Sequence, residues 1–178
     1  MQNSKLIVND RYILCLCEGA AETAVMEILL ENQKLVFDKK DLLYYKVHQR
    51  KSVKSIEEEF LNQGFEKDLL ILRIIDCKHE RFILGRAYRD RFQIETYRTS
   101  PEIEILIIIN EGDYSEYSQK YKSKQSPNEY CKMKYKYSSV KNSEFVRKYF
   151  SDVDRLVDSI KTHKTYTGGQ TICDLLRE

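Results

Sequence analysis

Tryptophan is absent from this chain of 178 residues, proline occurs twice and glycine six times. There is no internal repeat, low-complexity tract or clear linker, so repeat architectures and tethered arrays are excluded. Thr167-Gly168-Gly169 lacks the lysine and the following helix of a phosphate-binding loop and reads as a turn. No apolar run approaches the ~18 residues a membrane-spanning helix needs, and no signal segment is visible. The formal net charge is only +2, so whole-chain electrostatics implies no partner, although a local basic patch still can. The five cysteines are odd in number and show neither a CxxC pair nor the Cys/His spacing of a zinc site. Reduced, buried thiols and a cytoplasmic location are the expectation.

What is present suits an ordinary globular fold, with 42% hydrophobic and 33% charged residues, 13 Tyr and 7 Phe. Tyr12-Ile13-Leu14-Cys15-Leu16-Cys17 is a continuous apolar run of strand length, the pattern of a central strand covered on both faces. From Ala20 to Glu31 the period becomes helical, with Ala21, Ala24, Val25, Ile28 and Leu29 on one stripe. Leu42 to Val47 reads as a second strand. Lys51 to Leu61 reads as a helix, with Gly64 in a C-cap position. Leu69 to Ile75 is a third strand ending at Asp76, and Phe92 to Tyr97 a fourth. The alternation predicts an α/β sheet, mostly parallel and flanked by helices.

Pro101 to Gly112 carries β-branched residues that suit a strand. Ser100 as N-cap, Pro101 at the first helical position and a stop at Asn110–Gly112 favour a buried helix. Beyond Gly112 the chain turns Tyr- and Lys-rich. Helices are expected around Tyr114–Tyr121, around Pro127–Lys132, and along the stripe from Phe145 to Ile160. Ser151 with Asp154, and Thr171 with Asp174, are candidate caps. The expected organisation is an α/β domain over 1–112 and a helical extension over 113–178.

Two constellations bear on function. Glu18 follows the first strand and Asp76 the third. In a parallel sheet both project from the carboxyl edge, where ligands collect, and converging carboxylates there suit Mg²⁺. The structural alternative is a plain strand-to-helix turn, with acidic residues favoured at the helix N-terminus. The second constellation interleaves Lys120, Lys122, Lys124, Lys132, Lys134, Lys136 and Lys141 with Tyr121, Tyr130, Tyr135 and Tyr137. Lysines there meet phosphates and tyrosines stack on bases, or the segment is a solvated helical surface. Arg81, Arg86, Arg89 and Arg91 extend the basic surface near Asp76. Of the three histidines, His79 lies near Asp76, while His48 and His163 are scattered. Cys77 has no base placed for it by sequence and reads as a packing residue.

Glu18-Gly19-Ala20-Ala21-Glu22-Thr23, after an apolar strand and opening a helix, resembles the first motif of TOPRIM domains. More narrowly, it resembles the EGxxTE signature of the RloB-like branch related to OLD-type nucleases, with Glu22 and Thr23 in reverse order. Ser100-Pro101-Glu102-Ile103-Glu104-Ile105-Leu106-Ile107-Ile108-Ile109 is similar to the NPxFExWLLLHF stretch of the same branch, with Pro101 and Glu104 on that pattern's Pro and Glu. The resemblance spans roughly residues 12–111 and implies a TOPRIM-like sheet and a helix at 101–109. It further implies a Mg²⁺-dependent nuclease acting on DNA or RNA in bacterial defence against phage, with an ATPase partner protein. On this reading Glu18, Glu22, Asp76 and Lys78 are the catalytic candidates, and Glu18, Asp76 and Glu80 the metal ligands. Arg81, Arg86, Lys132, Lys134 and Lys136 contact nucleic acid, and Glu104 neighbours the phosphate or the metal. The chain departs from the family's DxD pair, reading Asp76-Cys77-Lys78, which puts a cation in place of the second carboxylate. The alternative is therefore a catalytically inactive module of the same fold that binds nucleic acid or a protein partner. A homo-oligomer is compatible with the sequence, which does not set the oligomeric state.

Overall fold

The computed structural model describes residues 10–76 and 81–178. The sheet has four strands, all parallel, in the order β2-β1-β3-β4. They are β1 (Arg11–Cys17), β2 (His48–Gln49), β3 (Asp68–Ile75) and β4 (Gln93–Arg98). β1 and β3 pair along their whole shared length, from Arg11 against Asp68 to Cys17 against Ile74. Both are covered on two faces, so alternate residues enter two different cores and the run stays apolar. Ile13, Cys15, Cys17, Leu72 and Ile74 face the larger core, while Leu14, Leu16, Leu69 and Ile71 face the smaller. Burying each such side chain contributes about 1.5–3 kcal/mol. Cys15, Cys17 and Cys131 are buried free thiols.

α1 (Ala20–Glu31) lies on the larger core, where Ala21, Ala24, Val25, Ile28 and Leu29 are buried as their spacing predicts. With it pack α4 (Ile105–Asn110), α6 (Pro127–Tyr135), α7 (Ser143–Tyr149) and α8 (Val153–Tyr166). α2 (Val53–Ile56), which runs on as a π-helical stretch Glu57–Leu61, covers the other face with the segment around α3 (Arg86–Arg89). α5 (Tyr114–Glu116) likewise continues into a π-helical stretch, Tyr117–Tyr121. α6 opens on a capping box between Ser126 and Glu129 with Pro127 next, and Thr171 and Asp174 form another before the short 3₁₀ turn Ile172–Leu175.

Four local expectations are corrected. Leu42 to Val47 is not a strand. Leu42 bridges Ile13, but Leu43–Tyr45 winds into a tight turn with Tyr44 and Tyr45 at φ of 57° and 59°. Only His48–Gln49 then pairs with β1. An edge segment has a ladder partner on one side alone, and here local bonds win: Tyr45 N donates to Leu42 O at 2.9 Å. Ser100 and Pro101 do not start the following helix. A turn closed by Ile105 N to Glu102 O and Leu106 N to Ile103 O comes first, and α4 begins at Ile105. The helical stretch ending at Leu61 is capped by Asn62 rather than Gly64. Asp152, not Ser151, caps α8 by accepting from Asp154 N. No helix among the described residues is long and apolar enough to cross a membrane.

Candidate functional site at the carboxyl edge of the sheet

Chain order and spatial order diverge between β1 and β3: from β1 the chain moves to β2 on one side, then returns to β3 on the other. In an open parallel sheet such a divergence marks the crevice position, beyond the carboxyl ends of the two strands, where a ligand usually binds. Glu18 and Asp76 stand on either side of it. The sheet ladder holds Glu18 in register, its N–H donating to Ile74 O at 2.9 Å. Glu18 Oε2 accepts the backbone N–H of Asp76 at 2.9 Å, so one carboxylate is pinned directly to the start of the other. Glu18 Oε1 accepts from Arg50 at 2.9 Å. Arg50 is placed by its own N–H, which donates to Cys17 O at 2.7 Å as the β2 edge runs past.

Three acidic groups near this crevice hold protons unusually tightly. Burial, then a hydrogen bond with the Glu18 side chain, then the charges of Glu18, Glu22 and Glu102 raise Asp76 from 3.8 to about 7. Glu22, buried on the first turn of α1, is raised by burial and by Glu18, against the lowering pull of the backbone N–H groups at the start of α1. Glu104 is 2% exposed. Burial raises it to about 7, against the lowering influence of its own backbone N–H and of Lys141. Its Oε1 has no hydrogen-bond partner. Lys141, in the loop between α6 and α7, reaches Glu102 Oε1 at 3.4 Å. Burial works to lower its pKa, but the charges of Glu104, Glu102 and Asp76 leave it raised.

This donor set fits a hard cation. The available atoms are carboxylate oxygens, the neighbouring Glu18 carboxylate helps to raise Asp76 to about 7, and the buried Glu104 Oε1 has no hydrogen-bond partner. Mg²⁺ is commonly held by one or two carboxylates, with waters and substrate phosphates filling the rest. Among the described residues no three Asp, Glu, His or Cys side chains converge tightly enough to hold a metal unaided. Among the described residues, Glu18 and Asp76 are the ones that would supply carboxylate oxygens from the ends of β1 and β3.

The other candidates are dispersed. Cys77, Lys78, His79 and Glu80 lie outside the described residues. Arg81 and Arg86 are exposed on the connection between β3 and β4. Lys132 and Lys136 are exposed on and just after α6, while Lys134 is held by Asp113 and Glu116. Several tyrosines of this segment pack edge-to-face in the core, Tyr130 touching Tyr117, Tyr121 and Tyr135. His163 is buried with Nε2 2.9 Å from Ser100 O, and His48 lies under Phe60. Sequence reasoning does not single out Arg50, Glu102 or Lys141 as part of this site. Arg50 and Lys141 arrive from distant segments with no motif around them, and only the Glu102–Glu104 spacing offers a signal. Compared with protein-family models, curated proteins and solved structures, the chain matches none.

Proposed function

We propose that this chain is a divalent-cation-dependent phosphodiesterase acting on nucleic acid, a TOPRIM-like nuclease in the service of phage defence, with Glu18 and Asp76 holding Mg²⁺. The observation that carries the reading is the pair of carboxylates at the carboxyl ends of β1 and β3, with Glu18 Oε2 accepting the Asp76 N–H at 2.9 Å. A bound Mg²⁺ supplies charge stabilisation to a phosphoryl group and a more acidic water. The chain's own residues do the rest. Glu18 fixes Asp76 through the backbone bond. Arg50 and Lys141 bring positive charge to the rim, where a phosphate is drawn in. Glu104, poised at about 7 with a free Oε1, takes up or gives back a proton near neutral pH. Glu22, on the first turn of α1, stands near enough for its charge to help raise Asp76.

The Arg50–Glu18 ion pair favours a second reading, in which the site is closed by salt bridges and the chain binds nucleic acid or a protein without cutting. Cleavage assays decide between them. Single- and double-stranded DNA and RNA are incubated with Mg²⁺ or Mn²⁺ and wild type, Glu18→Ala or Asp76→Ala. Wild type is expected to cut, and either variant to lose at least about 100-fold, the scale of removing one charge-stabilising group. Cutting by the variants at the wild-type rate sinks the nuclease reading. So does an inert wild type, and nucleic-acid binding retained by it then leaves the second reading standing.

A further inference from the structure

The β2 edge carries a feature the carboxylate site does not use. Between the bridge of Leu42 to Ile13 and the pairing of His48 with Leu16, β1 advances three residues while the edge advances six. The surplus bulges outward as the turn containing Tyr44 and Tyr45. Both sit at positive φ, a region that side chains with a β-carbon rarely adopt and that persists only where the surroundings impose it. Tyr44 is anchored: its ring leans on Phe60 and its hydroxyl accepts from Gln63 Nε2 at 2.9 Å. Tyr45 is 65% exposed. Beside them opens a cleft of about 280 Å³, lined by Tyr12, Lys40, Leu43, Phe65 and Glu66 among others. Lys39, Lys40 and Lys46 are exposed, and among the described residues none of them forms an ion pair.

Two tyrosines more than half exposed, with unpaired lysines beside them, fit a base that is not stacked in a duplex and the phosphates that flank it. From Tyr45 the edge continues five residues to Arg50, at most about 16 Å of extended chain, and Arg50 grips Glu18. The geometry points to single-stranded nucleic acid lying along the β2 edge, with a base on the Tyr44–Tyr45 platform and the backbone led a few nucleotides on to the Glu18–Asp76 crevice. This names the substrate class of the proposed nuclease and rests on that reading only for where the strand leads. The platform would bind a strand whether or not the crevice cuts it.

The test measures binding of fluorescein-labelled oligo(dT) and of a matched duplex by anisotropy, in EDTA, across a salt series. Tyr45→Gly removes the ring while tolerating the backbone, and Tyr45→Trp retains an aromatic face. Circular dichroism and thermal melting check that the variants fold. Wild type is expected to prefer the single strand and to weaken as salt rises. Tyr45→Gly should lose about tenfold in affinity or more, and Tyr45→Trp should bind at least as well as wild type. The proposal is overturned if wild type does not bind, if duplex is held equally, or if folded Tyr45→Gly binds like wild type. It is also overturned if light scattering shows self-association that Tyr45→Gly abolishes, which would make the platform an interface between copies. Ring-dependent binding without metal-dependent cutting upholds it and overturns the nuclease reading alone.

Discussion

Replacing Asp76 by asparagine should change how stability depends on pH more than it changes stability itself. In the folded chain Asp76 holds its proton up to about pH 7, because of burial and the facing Glu18, whereas the unfolded chain releases it near 3.8. Below about pH 4 the residue is protonated in both states and its contribution is fully present. As pH rises towards 7 the unfolded state ionises first, and the contribution is progressively lost. A displacement of that size in a fully buried group corresponds to about 4 kcal/mol. Asp76 is partly exposed, so solvent screening reduces this to roughly 1–2 kcal/mol. The asparagine side chain cannot ionise, and its amide can donate to Glu18 as the protonated Asp76 carboxyl does. Urea unfolding of wild type and Asp76→Asn, from pH 4 to 8 without divalent ions, should show the variant gaining about 1–2 kcal/mol on wild type between pH 4 and 7. The difference should level off above that. Added Mg²⁺ should recover the lost stability of wild type at pH 8, where the carboxylates are free to take it, and do little at pH 5. A difference between the two proteins that stays constant across the range would refute the raised pKa of Asp76.

Two further outcomes follow from the same cluster. Glu104→Gln should stabilise the metal-free protein by about 1–3 kcal/mol at pH 8 and by almost nothing at pH 4. It removes a buried carboxylate that must ionise as pH passes about 7, and paired melting curves at the two values check this. Gly19→Ala should leave folding stability within about 1 kcal/mol, since Gly19 has a backbone any residue adopts. The added methyl would stand 3.0 Å from Glu22 Oε2, so the Glu22 carboxylate must shift, and metal-dependent cutting should fall while circular dichroism stays unchanged.

Elements whose apolar residues meet a core on both faces, or along one clean stripe, are legible in the sequence. β1, β3 and α1 lie where the residue pattern puts them, because burial alone decides their conformation. Leu42–Val47 reads as a strand because its Leu, Tyr and Val residues suit one, while its place at the sheet edge lets a local turn compete and win. The start of α4 is displaced from its expected position because Ser100 and Pro101 carry helix-start chemistry, yet the turn from Glu102 to Leu106 intervenes. Glu18 and Asp76 can be picked out because both directly follow strands of one parallel sheet. Arg50 and Lys141 cannot, since they reach the crevice only through tertiary packing of segments 32 residues or more away from Glu18.

The packing of α1 against α7 sets a timetable for synthesis. Arg147 on α7 binds Glu27 and Glu31 on α1, a separation of 120 residues from the first of these. At the ~5–20 residues per second of a translating ribosome, α1 emerges roughly 6–24 s before the helix that covers it. During that interval the apolar stripe of Val25, Ile28 and Leu29 has no α7 to lie against. The nascent chain therefore passes through a sticky stage that a chaperone would recognise, and slowing translation between α1 and α7 would prolong it.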